Sequence, residues 1–72
     1  MDPTAQFAEN LRRLRLASGL TQEDLSDATA MGAAEISRLE RGGRDPQLHT
    51  IVRLARGLGV SVAELLRDVE TE

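Results

Sequence analysis

Apolar residues in this chain recur at intervals of three and four and nowhere alternate, so helices are the regular structure it can build. Phe7, Leu11 and Leu14, extended by Ala17, make a first stripe, with Arg12, Arg13 and Arg15 off it. Asp2-Pro3 supplies a cap and a first-turn proline and Gly19 a stop, which predicts a helix from about Ala5 to Ser18. Thr21 caps a second helix, Gln22 to Thr29, with Leu25 and Ala28 inward; Thr-x-x-Asp is a weaker form of the capping box. After a turn at Ala30-Met31-Gly32, with Met31 as a core filler, a third helix is expected from Ala33 to Arg41. It buries Ile36 and Leu39 and is stopped by Gly42-Gly43. Asp45 as N-cap and Pro46 as first residue open a fourth helix carrying Leu48, Ile51, Leu54, Ala55 and Leu58. Ser61-Val62-Ala63-Glu64 reads as a full capping box for a last helix to about Arg67, with residues 68–72 as a frayed tail. The fold class is therefore all-α, with five short helices.

Length sharpens that reading. A chain of 72 residues suits one domain, here 1–72 with its folded core at about 5–67, and buries only about 60% of its unfolded surface. A thin core benefits from a second copy. The absence of cysteine removes disulfides, thiolate metal sites and thiol nucleophiles, and favours a reducing, cytoplasmic setting. No apolar run nears the roughly 20 residues of a membrane span, and Met1-Asp2-Pro3 does not open a signal peptide. An enzyme fails on inventory: there is no nucleophile beside a base, no metal-ligand cluster and no glycine-rich phosphate loop. His49, the single histidine, reads as structural. No cofactor, metal or small-molecule effector is expected.

The formal charge of −3 argues against nucleic acid only until it is mapped. Residues 1–37 hold three arginines against six acids, and residues 57–72 one arginine against four. Between them, Arg38, Arg41, Arg44, Arg53 and Arg56 face only Glu40 and Asp45. Local potential governs binding, and this middle segment is basic.

Two short helices joined by a tight turn inside a small helical domain have helix-turn-helix geometry, here at about 21–41. The residues that fill it are specific: Thr21-Gln22-Glu23-Asp24-Leu25, then Ile36-Ser37-Arg38-Leu39-Glu40-Arg41-Gly42, then Pro46 and Thr50-Ile51-Val52-Arg53-Leu54-Ala55. With Leu58-Gly59-Val60-Ser61 and Glu64-Leu65-Leu66, they resemble the Xre/Cro-type, lambda-repressor-like helix-turn-helix family over about Phe7 to Leu66. The resemblance implies double-stranded DNA as partner and a third helix in the major groove, with Ala33, Ala34, Glu35, Ser37 and Arg38 as base-reading candidates. Arg38 suits guanine because its fork matches two acceptors, with a phosphate contact or a pairing with Glu35 as the alternative. Glu35 can accept from cytosine or orient Arg38. Ala33 and Ala34 can meet thymine methyls or simply admit close approach. Phosphate candidates are Gln22, Arg12, Arg13, Arg41 and Arg44, and Glu40 is expected to pair with Arg13 or Arg53.

The chain departs from the pattern where many members have a polar reader near Ala33, a hydroxyl cap at Gly32 and a glycine at Ala30. Ala30 in the left-handed region costs roughly 1 kcal/mol against glycine, and few polar readers shift weight onto Arg38 and DNA shape. Val62, Leu66 and Val69 exceed what a terminal helix needs and suggest a dimer seam, with peripheral packing as the alternative. The expected function is a homodimeric, sequence-specific DNA-binding regulator on a pseudo-palindromic operator, with autoregulation in the manner of small repressors or restriction–modification controllers as one form of it. An antitoxin-like or adaptor module, or the DNA-binding part of a longer regulator, is the competing reading.

Overall fold

The computed structural model describes residues 2–70. Five helices and no strand occur among them: α1 Pro3–Ala17, α2 Gln22–Thr29, α3 Ala33–Glu40, α4 Leu48–Leu58 and α5 Val62–Leu65. α2 packs against α3 and α4, α1 against α3 and α5, and α4 against α5. Phe7, Leu11, Leu14, Leu25, Met31, Ile36, Leu39, Leu54, Leu58 and Leu65 meet in one core.

The starts of α1 and α2 follow the sequence closely. Asp2 accepts the Ala5 N–H at 2.9 Å, with Pro3 in the first turn. At Thr21 both capping-box bonds form: Asp24 N–H donates to Thr21 Oγ1 at 3.0 Å and Thr21 N–H to Asp24 Oδ2 at 2.9 Å. The box expected to be stronger, at Ser61, shows only the Glu64 N–H bond to Ser61 Oγ, at 3.1 Å. Ala30 is left-handed at φ 59°, the strained turn its alanine implied.

Four local expectations are corrected. α4 begins two residues late, with Gln47 rather than Asp45 as N-cap, because the Asp45 carboxylate accepts the Thr4 hydroxyl and ties the loop to α1. Leu48, expected inside, is 73% exposed: it opens α4 and lies off the Ile51–Leu54–Leu58 face. Ala28 is exposed and Thr29 buried in its place, its hydroxyl donating to Leu25 O at 2.7 Å and accepting from Met31 N–H at 3.3 Å. α5 stops at Leu65 instead of Arg67 because Asn10 Nδ2 donates to both Leu65 O and Arg67 O, each at 2.8 Å. Of the expected tail, Val69 packs half-buried on the core and Asp68 is left-handed; Thr71 and Glu72 lie outside the described residues.

Close approach of α2 and α4 needs Gly57, where an added Cβ would stand 2.5 Å from Thr29 Cγ2. Next to it, Arg53 Nη2 donates to Thr29 O at 3.0 Å, satisfying a carbonyl that the end of α2 leaves free.

Candidate nucleic-acid interface

The α2–α3 unit is fixed from beneath by a buried ion pair. Arg15 Nε donates to Glu40 Oε2 at 2.6 Å and Nη2 to Glu40 Oε1 at 3.0 Å, with side chains only 9% and 3% exposed. Arg15 Nη1 also donates to Leu20 O at 2.8 Å, and Gln22 Nε2 donates to Glu40 Oε1 at 3.2 Å. One carboxylate thus joins the end of α1, the start of α2 and the end of α3. The bond to Glu40 raises the Arg15 pKa further above its ordinary value, outweighing desolvation, with the Coulomb attraction of Glu40 adding to it. This overturns the expected partners of Glu40, Arg13 and Arg53. Arg15 lies four residues after Leu11, on the edge of the apolar stripe rather than off it, and that spacing was the signal for it.

α3 then presents its outer side. Ile36 and Leu39 are buried, Ala34 and Arg38 are exposed, and Ala33, Glu35 and Ser37 are half-buried. Ala34, Arg38 and Arg41 fall at helical spacing on one face with Ser37 beside them. Arg38 has no salt bridge: among the described residues the ion pair of Arg15 and Glu40 is the one present, so the alternative pairing with Glu35 is not formed. Glu35 instead lines a polar cleft with Arg44, His49 and Arg53. Arg41 donates from Nη1 to Ser37 Oγ at 2.7 Å. Gly43 N–H donates to Arg38 O at 3.0 Å, and a Cβ there would stand 3.2 Å from Arg38 Cγ, so Gly43 leaves the arginine stem room.

The remaining candidates divide. Gln22 is at this surface, half-buried, with one amide hydrogen held by Glu40. Arg44 is exposed on the loop after α3. Arg12 and Arg13 are exposed on α1 and line a groove with Leu16, Arg67 and Asp68, to which neither α2 nor α3 contributes. Val62, Leu66 and Val69 are half-buried against the core at the other end of the chain. The helix N-termini of α3 and α4 carry no side-chain cap, which leaves their amides open to an anion. Of the three acids on α2, Glu23 and Asp27 are exposed, while the Asp24 carboxylate folds back onto Thr21, whose backbone N–H and then hydroxyl hold its pKa below the ordinary value. Asn10 and Gln6 escaped the sequence reading. Their chain of bonds, Gln6 Nε2 to Asn10 Oδ1 at 3.0 Å and Asn10 to the end of α5, is structural.

Comparison with known proteins places this geometry. A family model described as a helix-turn-helix domain matches residues 6–67. An uncharacterized HTH-type transcriptional regulator of Sinorhizobium fredii is 41% identical over 70 residues, 97% of this chain and 91% of that protein. The CTXphi phage transcriptional repressor RstR of Vibrio cholerae is 35% identical over 65 residues, 90% of this chain but 59% of its own length. The solved structure of the restriction–modification controller protein C.AhdI from Aeromonas hydrophila superposes with a TM-score of 0.83 at 35% identity, covering 86% of this chain and 94% of that one. The five-helix order and these matches agree: the chain belongs to the helix-turn-helix family of Xre/Cro-type transcriptional regulators.

Proposed function

We propose that this protein is a sequence-specific DNA-binding transcriptional regulator that acts as a homodimer, with α3 of each copy in the major groove of a pseudo-palindromic operator. The observation that carries it is the outer face of α3. Arg38 stands there unpaired, flanked by small residues, on a helix held by its buried side against α2. Arg38 is the principal base reader, and Ala33, Ala34, Glu35 and Ser37 shape the edge it meets. Gln22, through its remaining amide hydrogen, and Arg44 contact phosphates on either side. Relatives that are a phage transcriptional repressor and a restriction–modification controller support a role in regulating transcription. The protein then works in the cytoplasm on chromosomal or phage DNA; no described helix is long and apolar enough to cross a membrane.

Selection of bound duplexes from a random pool tests this directly. The expected result is two related half-sites with centres about 34–36 Å apart. Affinity for the selected duplex should fall steeply with salt, by a slope of about −0.9 in log K per neutralised phosphate. A flat salt dependence with no preference over scrambled DNA would instead favour a protein-interaction module.

A further inference from the structure

Arg41 caps the C-terminus of α3, and its guanidinium turns back to donate to Ser37 Oγ at 2.7 Å. A serine hydroxyl has one hydrogen to donate and two lone pairs that accept. With a lone pair committed to a cation, its hydrogen points away from Arg41. Helical hydroxyls often send that hydrogen to the carbonyl four residues earlier, as Ser18 does to Leu14 O and Thr29 to Leu25 O. Ser37 makes no such bond among the described residues; its contact is the one from Arg41. Its hydrogen is therefore free of a protein acceptor among the described residues, and Ser37 lies next to Arg38 on α3.

We infer that Arg41 is a positioning residue acting through Ser37, holding that hydroxyl as a hydrogen-bond donor toward the bases. Arg38 and Ser37 then present adjacent donors, while the acceptors left on α3 are the Glu35 carboxylate and the second Ser37 lone pair. Major-groove edges that offer acceptors are guanine N7 and O6, adenine N7 and thymine O4; cytosine offers only its amino donor. With its hydrogen turned to the groove, Ser37 consequently favours guanine, adenine or thymine over cytosine on the contacted strand, beside the position read by Arg38. This rests on the DNA-binding reading above and assigns Arg41 a different task from a phosphate contact.

The test uses the duplex selected by the wild-type protein and its single-base-pair variants, with affinity read by fluorescence anisotropy for Ser37→Ala, Arg41→Ala and the double variant. Thermal midpoints are measured alongside, and both side chains lie outside the core. Each single variant should lose about fivefold of discrimination against cytosine at one and the same base pair, the worth of one hydrogen bond. The double variant should lose no more than either alone, and the salt slope should stay within a fraction of a unit. If Arg41→Ala weakens every duplex alike, lowers the salt slope by about one and adds to Ser37→Ala, Arg41 is a phosphate contact and the inference is wrong. A wild-type protein that selects no sequence at all would overturn the DNA reading itself, and this inference with it.

Discussion

Arg15 carries a full positive charge into the core of a molecule too small to hide one unaided. Its guanidinium is met by both oxygens of Glu40 and by Leu20 O, so the charge is paired and its hydrogens are placed. Because the folded pKa is raised, the stabilisation that Arg15 contributes is fully present below the ordinary arginine pKa and is lost only as pH rises through the folded one. Glu40→Ala strands Arg15 and should cost about 3 kcal/mol, the low end for a broken buried pair in so thin a protein. Calorimetry should register a fall in midpoint of roughly 12 °C or more; a fall of a degree or two would show that water screens the pair. Arg15→Met with Glu40→Leu should recover most of the loss, since the pair and an apolar replacement differ little in net stability. The same carboxylate explains why the partner of Glu40 was hard to read. Arg13, Arg15 and Arg53 are indistinguishable by charge; the place of Arg15 at the edge of the apolar stripe and the crossing of α1 and α3 select among them.

At the scale of elements, what could be read in the sequence was whatever a single segment decides for itself. The caps at Asp2 and Thr21, the strained turn at Ala30 and the buried stripes of α1 and α3 depend on residues within a turn of one another. What could not be read depends on a second element. Asp45 is a good N-cap by type, but Thr4 of α1 takes its carboxylate; α5 has the composition to continue, but Asn10 of α1 takes its carbonyls. The outer face of α3 follows the same division. Its position on one helix could be read from motif spacing, whereas the bonds Gln22–Glu40 and Arg41–Ser37, which decide how many of its donors remain free, could not. The Thr21 box offers a measurable case of local control. Thr21→Ala should cost about 1 kcal/mol. Part of that increment depends on ionised Asp24, whose lowered folded pKa contributes stability above the ordinary aspartate value and loses it as pH falls. The gap in thermal midpoint between wild type and Thr21→Ala should therefore narrow below about pH 4; a gap unchanged down to pH 2 would show that the hydroxyl alone carries the cap.

For the whole molecule, burial resolves the conflict between a net charge of −3 and an anionic partner. Glu40, counted against the basic middle segment, is neutralised inside by Arg15, which leaves five exposed arginines facing Asp45 alone between residues 38 and 56. Among the described residues, the acids Glu64, Asp68 and Glu70 fall outside this segment, in and after α5. That end of the molecule also carries Val62, Leu66 and Val69, each half-buried and each with apolar surface left over. Two copies joined there would cover it and hold two α3 helices at a fixed separation, which a single copy of so small a domain cannot do. Leu66→Glu places a charge in that seam and should convert a dimer to a monomer in sedimentation equilibrium. Operator affinity should fall more for the two-half-site duplex than for a single half-site, because the linkage between sites is what is lost. Leu66 and Val69 both touch the core, so circular dichroism accompanies Leu66→Glu and Val69→Glu: a weakened dimer at an unchanged monomer fold separates lost association from lost folding. Dimers that persist in both variants would place the contact on another face, and the groove of Arg12, Arg13, Leu16 and Arg67, with Leu16 52% exposed, would be the next surface to substitute.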